Sequence, residues 1–426
     1  MAFKKQLQRS STWTIPLLYA LIAIAAGLIF PRIEARAWPS LAAGVSISTA
    51  TAIYSSIASG MIALTGIVFS LAFVMVQFSA TAYSPRLVLW IARDPVISHA
   101  LGVFTATFLY AIAALAGLDR GTVGRAPLIS AWVVIGLLFA SVALFISLIQ
   151  RIGVLQINRM LNFTGDLGRK VIRTMYDSLD SAEKVSLGDF HQTYPLHTLV
   201  HHGGPQAIQA VDTAALVKIA KAFNGVIEVS VAVGDTVTEA TALLRVFAAP
   251  DTIIDEKQLR CSIEVGEERT FQQDPKYAIR LLVDIAIRAL SPAVNDPTTA
   301  VQALDQIEDL LLRLGRSRLD IGEYRDADDN LRLVIPFPAW EDFLRLALDE
   351  IRFYGATNVQ VTRRMTALLA DLIAGLSDER QAAVRHWERR LQTTIARSFV
   401  DNEEKTEAAV EDRQGFGIPR RHSAVS

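Results

Sequence analysis

Between Arg269 and Asp305 the sequence gathers side chains capable of ionic and hydrogen-bonding chemistry at close spacing. Arg269-Thr270 is followed by Gln273-Asp274-Pro275, a helical run through Leu290, and the loop Ser291-Pro292-Ala293-Val294-Asn295. Asp296-Pro297 then opens another helix. Lys276, Arg280, Asp284 and Arg288 recur every four residues, so they share one helix face. Asp284 can pair with Arg280 and Arg288, one turn to either side. Two chemistries fit. Arginines in surplus beside a polar loop can receive an anion, such as a phosphate or a lipid headgroup. The same residues can instead form an ion-pair ladder that ties helix to loop. The aspartates also have a structural role open to them. Asp before Pro is a helix-start pattern, and Asp94-Pro95, Asp274-Pro275 and Asp296-Pro297 all fit it.

Other candidate chemistry is thinner. Four of the seven histidines, His191, His197, His201 and His202, fall close together, and imidazole suits zinc or copper. Asp189 is the one carboxylate at helpful spacing, and the Gly/Pro content marks a solvated loop, so no metal is expected. The run from Gly225 to Val237 resembles half of a biotinyl/lipoyl-type barrel, but Lys218 and Lys221 fall on a predicted helix and not at a hairpin tip. It reads as a β-scaffold, and no cofactor is expected. Gly165-Asp-Leu-Gly-Arg-Lys lacks the spacing of a phosphate-binding loop, and neither a nucleophile-elbow serine nor His-Glu-x-x-His occurs. Cys261, the single cysteine, is expected to be a buried thiol on an alternating strand. It excludes an internal disulfide and any multi-thiolate site.

The elements that must position these residues fall into two halves. Of 426 residues, 51% are hydrophobic and 20% charged, and the apolar residues cluster towards the N-terminus. Four uncharged stretches can each cross about 30 Å of hydrocarbon, which takes roughly 20 residues. They predict spans over about 13–30, 51–78, 96–118 and 127–150. The second lies in a longer uncharged tract, Ala37–Tyr83, in which a re-entrant segment near Leu41–Ser48 is an alternative. Ala35-Arg36-Ala37 has the form of a signal-peptide cleavage site, a second alternative. With four spans, Lys4, Lys5, Arg9, Arg86, Arg93, Arg151 and Arg159 share one side, and Arg32, Arg36, Arg120 and Arg125 the other. That bias puts both termini in the cytoplasm. Within the second span Ser55, Ser59, Gly66, Ser70 and Gln77 recur at intervals of four and seven. Such a stripe either packs helices closely through small residues or lines a permeation path in a homo-oligomer. His99, near the start of the third span, suits an interfacial hydrogen bond.

Residues 1–150 thus predict an α-helical transmembrane bundle, and 151–180 a helical stalk. Residues 181–400 predict a cytoplasmic α+β domain with a small β-hairpin or half-barrel element and a helical C-terminal part. Strands are expected at Gln206–Val211, Val226–Val233 and Thr241–Phe247, the last two joined through the turn Gly234-Asp235. A charged, then Gly/Pro/Arg-rich tail, 401–426, predicts disorder. The formal net charge of −1 and the lack of a basic run with aromatics argue against nucleic-acid binding.

Arg-Thr-x-x-Gln-Asp, followed by Val283-Asp-Ile-Ala-x-Arg-Ala-Leu-Ser-Pro-x-x-Asn-Asp-Pro-x-Thr-Ala300, resembles the signature of the domain-of-unknown-function 2254 family of bacterial membrane proteins. Phe78-Ser-Ala-Thr-Ala-Tyr-Ser-Pro-Arg, Arg325-Asp326 before strand Leu331–Pro336, and Ile351-Arg-Phe-Tyr-Gly are similar to it as well. The resemblance implies a multi-pass protein of the inner membrane and brings no activity or catalytic residue. The expected function is a cytoplasmic domain that senses or binds a ligand or partner without catalysis. The alternative is an oligomeric channel or transporter lined by the second span, with an enzyme third.

Overall fold

The computed structural model describes residues 14–37, 46–82, 95–118, 127–152, 157–176 and 194–418. The chain divides into two compact units, 1–156 and 157–426.

The first unit holds four helices long and apolar enough to cross a membrane: α1 (Thr14–Ala37), α2 (Ile47–Ala82), α3 (Pro95–Leu118) and α4 (Leu128–Ile152). Helix α3 is central, packing against each of the other three. Small residues permit this. A Cβ at Gly27 would lie 2.7 Å from Ala113 Cβ, and one at Gly102 would lie 2.8 Å from the Tyr19 ring. Thr107 and Ser141 hydroxyls bond across α3 and α4 at 2.9 Å. Helix α2 is longer than its expected 51–78, because Ser46 caps it by accepting from Thr49 N at 3.1 Å. Ile47 and Ser48 are thus helical, while residues 41–45 of the suggested re-entrant segment lie outside the described residues. His99 Nδ1 lies 3.3 Å from Tyr19 Oη.

The second unit opens with α5 (Ile157–Met175), then β1 (His197–Val200), β2 (Gln206–Val211), α6 (Thr213–Ala222), β3 (Val226–Val229), β4 (Thr236–Val237), β5 (Ala242–Phe247), α7 (Glu256–Cys261) and β6 (Ile263–Gly266). One sheet runs β1-β5-β3 and continues through β8 (Leu331–Val334) to β7 (Glu323–Arg325); a second runs β4-β2-β6. Only β3 and β8 pair in parallel among the described strands. Leu199, Ile208, Leu216, Ile227, Val237, Leu244 and Leu333 form a continuous core between sheets and α6. Strands β3 and β5 pair as expected, with Glu228 opposite Arg245. The connection differs from a simple hairpin. Gly234 (φ +91°) turns the chain so that β4 leaves for the second sheet, and Gly234 N donates to Ile208 O at 2.8 Å.

The helical part comprises α8 (Pro275–Ala289), α9 (Pro297–Gly315), α10 (Trp340–Tyr354), α11 (Val359–Gly375), α12 (Asp378–Ser398) and α13 (Asn402–Ala408). Three sequence expectations change here. Residues 157–175, expected in a stalk, pack on α8 and α9 as part of the second unit. Their apolar stripe meets a partner face, and a Cβ at Gly168 would sit 2.9 Å from both Ala278 and Leu310. Cys261 closes a short helix and is exposed, because Asp255 caps that helix from Lys257 N and Gln258 N. The tail is ordered through residue 418. Its Asp412 carboxylate accepts from Gln414, Gly417 and Ile418 amides, and Arg413 pairs with Asp371 of α11 at 2.5 Å.

Leu310 is fully buried where α5 crosses α9. Leu310→Ala should cost about 2–5 kcal/mol and lower the thermal unfolding midpoint of the purified full-length protein. An unchanged midpoint would mean that this junction adds nothing to stability.

Candidate functional site

Asp274 caps α8, accepting from Tyr277 N at 3.2 Å, and its side chain is fully buried. A buried carboxylate needs partners. Arg269 supplies two, donating through Nε at 2.9 Å and Nη2 at 2.6 Å, with its guanidinium 5.2 Å from the centre of the Tyr277 ring. Burial pushes the Asp274 carboxyl above its ordinary range, against the opposing pull of Arg269, Lys276 and the Tyr277 amide. Gln273 mimics a neighbouring strand: its Oε1 accepts from Val211 N at 2.9 Å, and its Nε2 donates to Val211 O at 3.2 Å. Lys276 reaches Asp235 beside the Gly234 turn. The Gln273 and Lys276 contacts join the start of α8 to β2 and to the Gly234 turn, while the Arg269–Asp274–Tyr277 contacts are local to the cap.

Further along, Arg280 donates to Asp284 at 2.7 Å and grips Glu350 of α10 with both terminal nitrogens, one at 2.9 Å. These carboxylates hold the guanidinium more firmly protonated than usual. In the loop, Ser291 Oγ donates to Arg288 O at 2.7 Å, and Asn295 (φ +49°) donates its amide to Ser291 O at 2.9 Å. Asp296 caps α9 from Thr299 N at 3.1 Å and accepts from Thr299 Oγ1 at 2.6 Å. The sequence candidates thus separate into three local sets: Arg269–Gln273–Asp274, Arg280–Asp284, and Arg288–Ser291–Asn295–Asp296, which Arg288 joins through its backbone carbonyl. Arg269 and Arg280 already meet carboxylates, so an anion arriving there must displace them. Asp94, the third Asp-Pro aspartate, lies outside the described residues.

Sequence reasoning missed several charged pairs because they join distant segments. Buried Arg364 of α11 meets Asp305 at 2.8 Å and Glu308 at 2.7 Å. Arg169 of α5 meets Asp309 at 2.8 Å. Asp326 holds the β7–β8 turn through Asp328 N and Asn330 N, and accepts from Arg332 Nε at 2.7 Å. The Arg332 guanidinium and these amides hold the Asp326 carboxyl down to about 2. Arg332 also lines, with Asn224, Phe247 and Asn330, an open cleft of about 470 Å³ at the ends of β3, β5 and β8.

The histidines do not converge. His191 lies outside the described residues, and His197 is on β1 with its buried Nε2 unpartnered. His201 Nε2 lies 3.0 Å from Gly204 O, and His202 Nδ1 is 3.0 Å from Glu239 Oε1. The Gly203 amide and His202 hold the Glu239 carboxyl below its usual range. Among the described residues no three His, Cys, Asp or Glu side chains gather at metal-binding distance.

In the first unit, Tyr54, Ala58, Met61 and Val68 of α2 pack inward, whereas Ser55, Ser59, Gly66, Ser70 and Gln77 are exposed on the other side. A Cβ added at Gly66 would meet nothing within 4 Å. Among the described residues Ser55, Ser59, Gly66 and Ser70 thus lie away from the packed face of α2. A second polar feature was not anticipated. Glu34, near the end of α1 and 2% exposed, accepts from Ile129 N at 2.7 Å and Ser130 N at 3.0 Å, capping α4 from another helix. Tyr110 Oη lies 3.1 Å from Ser130 Oγ. The buried Tyr54 hydroxyl approaches Ser130, Tyr110 and Glu34 without completing a hydrogen bond. All four helices thus contribute one polar side chain to this cluster. The available signal was an acidic residue three positions beyond Pro31, read as lying outside the span.

Two measurements follow. Glu34→Ala strands two amides and should cost about 3 kcal/mol, while Glu34→Gln, keeping one acceptor, should lose about half of that. Equal melting temperatures for all three proteins would remove the cap from the account. Asp326 has a depressed carboxyl, so its stabilisation is complete above its ordinary value of 3.8 and fades as pH falls through about 2. The melting-temperature gap between wild type and Asp326→Asn should therefore narrow from pH 6 to pH 2; a constant gap contradicts the pairing.

With this geometry in place, comparison with known proteins is informative about family and silent about activity. No solved structure matches the chain. An uncharacterized protein of Mycobacterium bovis is 27% identical over 396 residues, covering 91% of this chain and 74% of the relative. An uncharacterized protein of Mycobacterium tuberculosis matches with the same identity and coverage. The family described as predicted membrane protein (DUF2254) matches residues 9–371, which span the four apolar helices, the sheets and the α8–α9 network, and the chain belongs to that family.

Proposed function

We propose that the protein works as a non-catalytic homo-oligomeric channel of the bacterial inner membrane, with α2 of each copy lining the path. The observation that carries this reading is the outward direction of the polar stripe. At about 100° per residue, Ser55, Ser59, Gly66, Ser70 and Gln77 fall within a wedge of about 60° on one side of α2. A rise of about 1.5 Å per residue separates Ser55 from Gln77 by about 33 Å along the helix axis. That length matches the roughly 30 Å hydrocarbon thickness of a bilayer. Polar side chains at that depth face protein or water in preference to lipid, so a neighbouring copy and the water between copies are their natural surroundings. In this arrangement the second unit is cytoplasmic, as the distribution of basic residues suggests.

A second reading assigns the second unit a ligand. It is favoured by the cleft beside Arg332, which combines two asparagine side chains with one apolar wall. The anion-receiving reading of the α8 arginines is weaker, since Glu350, Asp284 and Asp274 already answer them.

Flux through vesicles containing the purified protein separates these readings. Wild type should conduct, Ser59→Leu and Ser70→Leu should each reduce conductance at least tenfold, and Ile67→Leu, outside the wedge, should conduct normally. Correctly inserted oligomers that pass no current would sink the channel and leave the cleft as the functional site.

A further inference from the structure

Exposed apolar side chains of the helical part gather at one end, and the helix directions say which end it is. Helices α5 and α9 run the same way, with Asn162 bonded to Gln306 and Arg169 to Asp309. Helix α11 runs with them: Arg364 meets Asp305 and Glu308 early, and Gly375 lies against Leu312 and Arg316 late. Helices α10 and α12 run the opposite way. Trp340, at the start of α10, lies against Gly315 at the end of α9 and donates to Arg380 O near the start of α12. Arg352 meets Thr394 towards the far ends of that pair.

The start of α5, the loop 290–296, the α10–α11 turn and the end of α12 therefore share one end of the layer. The segment 412–418 joins them, with Gly415 against Gln360 and Gly417 against Arg363. At this end Val294, Phe353, Tyr354, Val400, Phe416 and Ile418 are all exposed, Phe353 and Ile418 at 70% and Val400 at 91%. At the opposite end the bulky apolar residues Trp340, Leu319 and Leu376 are covered.

Chain length identifies what covers this face. Helix α4 ends at Ile152 and α5 begins at Ile157. Five Cα steps reach at most about 18 Å. The apolar end of the second unit is thus the one tethered within that distance of the end of an apolar span. A tyrosine ring suits the headgroup level, where its apolar body and polar hydroxyl are both accommodated, and phenylalanine and isoleucine suit the acyl side of that boundary. We propose that this end is a bilayer-docking face, with Phe353, Tyr354, Phe416 and Ile418 seated at the headgroup–acyl boundary of the membrane that α4 crosses. This assignment is independent of whether α2 conducts.

Spin labels on the full-length protein test it. Cys261→Ser removes the exposed native thiol, and Phe353→Cys, Phe416→Cys and, as a water-exposed reference, Ile253→Cys each add one. The reference position is 95% exposed, on the loop after β5. In vesicles of phosphatidylethanolamine and phosphatidylglycerol, oxygen reports lipid and a nickel chelate reports water. Labels at 353 and 416 should show an oxygen-to-nickel collision ratio at least threefold above that at 253. Nickel access at 353 and 416 equal to that at 253 would overturn the proposal. Shielding from both reagents, with spin–spin broadening, would also overturn it by assigning the face to a second copy.

Discussion

A fully buried carboxylate has to be answered by its own chain, and Asp274 shows how much of this protein follows from that requirement. Its oxygens serve the first turn of α8 and the guanidinium of Arg269 at once. The Gly234 turn approaches so closely that a Cβ there would lie 2.2 Å from Asp274 Oδ2. That turn sends β4 into the second sheet, and Gln273 ties the same region to β2. Asp274, with Gln273 and Lys276 beside it, therefore marks where the sheets meet the helical layer. A side chain at position 234 would conflict with both the positive φ and the space.

The helical layer follows the same logic across longer distances. Asp305, Glu308 and Asp309 sit on two adjacent turns of α9 and draw in Arg364 from one side and Arg169 from the other. Apolar burial supplies most of the stabilisation, since α9 hides Leu304, Ile307, Leu310, Leu311 and Leu314 completely. The ion pairs join helices that lie far apart in the sequence. In the first unit Glu34 plays the corresponding part, as a carboxylate whose two amide donors belong to a different helix.

Features set by local physics were legible in the sequence. Four uncharged stretches gave four apolar helices, Asp-Pro gave the caps of α8 and α9, and alternation gave β2 with its exact limits. Asp284 pairs with Arg280 one turn away, as spacing alone implies. Features set by distant partners were not legible. Nothing near Glu34 says that residues 129 and 130 await it, and nothing near Arg364 points back to 305 and 308. The stalk expected over 151–180 contains a helix at 157–175, but the sequence cannot say that its apolar stripe faces α8 and α9. Composition misread the tail, because four amide hydrogen bonds to the Asp412 region and one arginine pair order a segment with little apolar content.

The position of α5 also has a consequence for biosynthesis. Arg169 finds its partners 137 and 140 residues later in the chain. At about 5–20 residues per second, those partners leave the ribosome about 7–28 s after α5 does. During that interval an amphipathic helix, already tethered to an inserted span, must shelter its apolar stripe elsewhere. Until α8 and α9 have both been made, that stripe lacks the faces that bury it in the finished second unit.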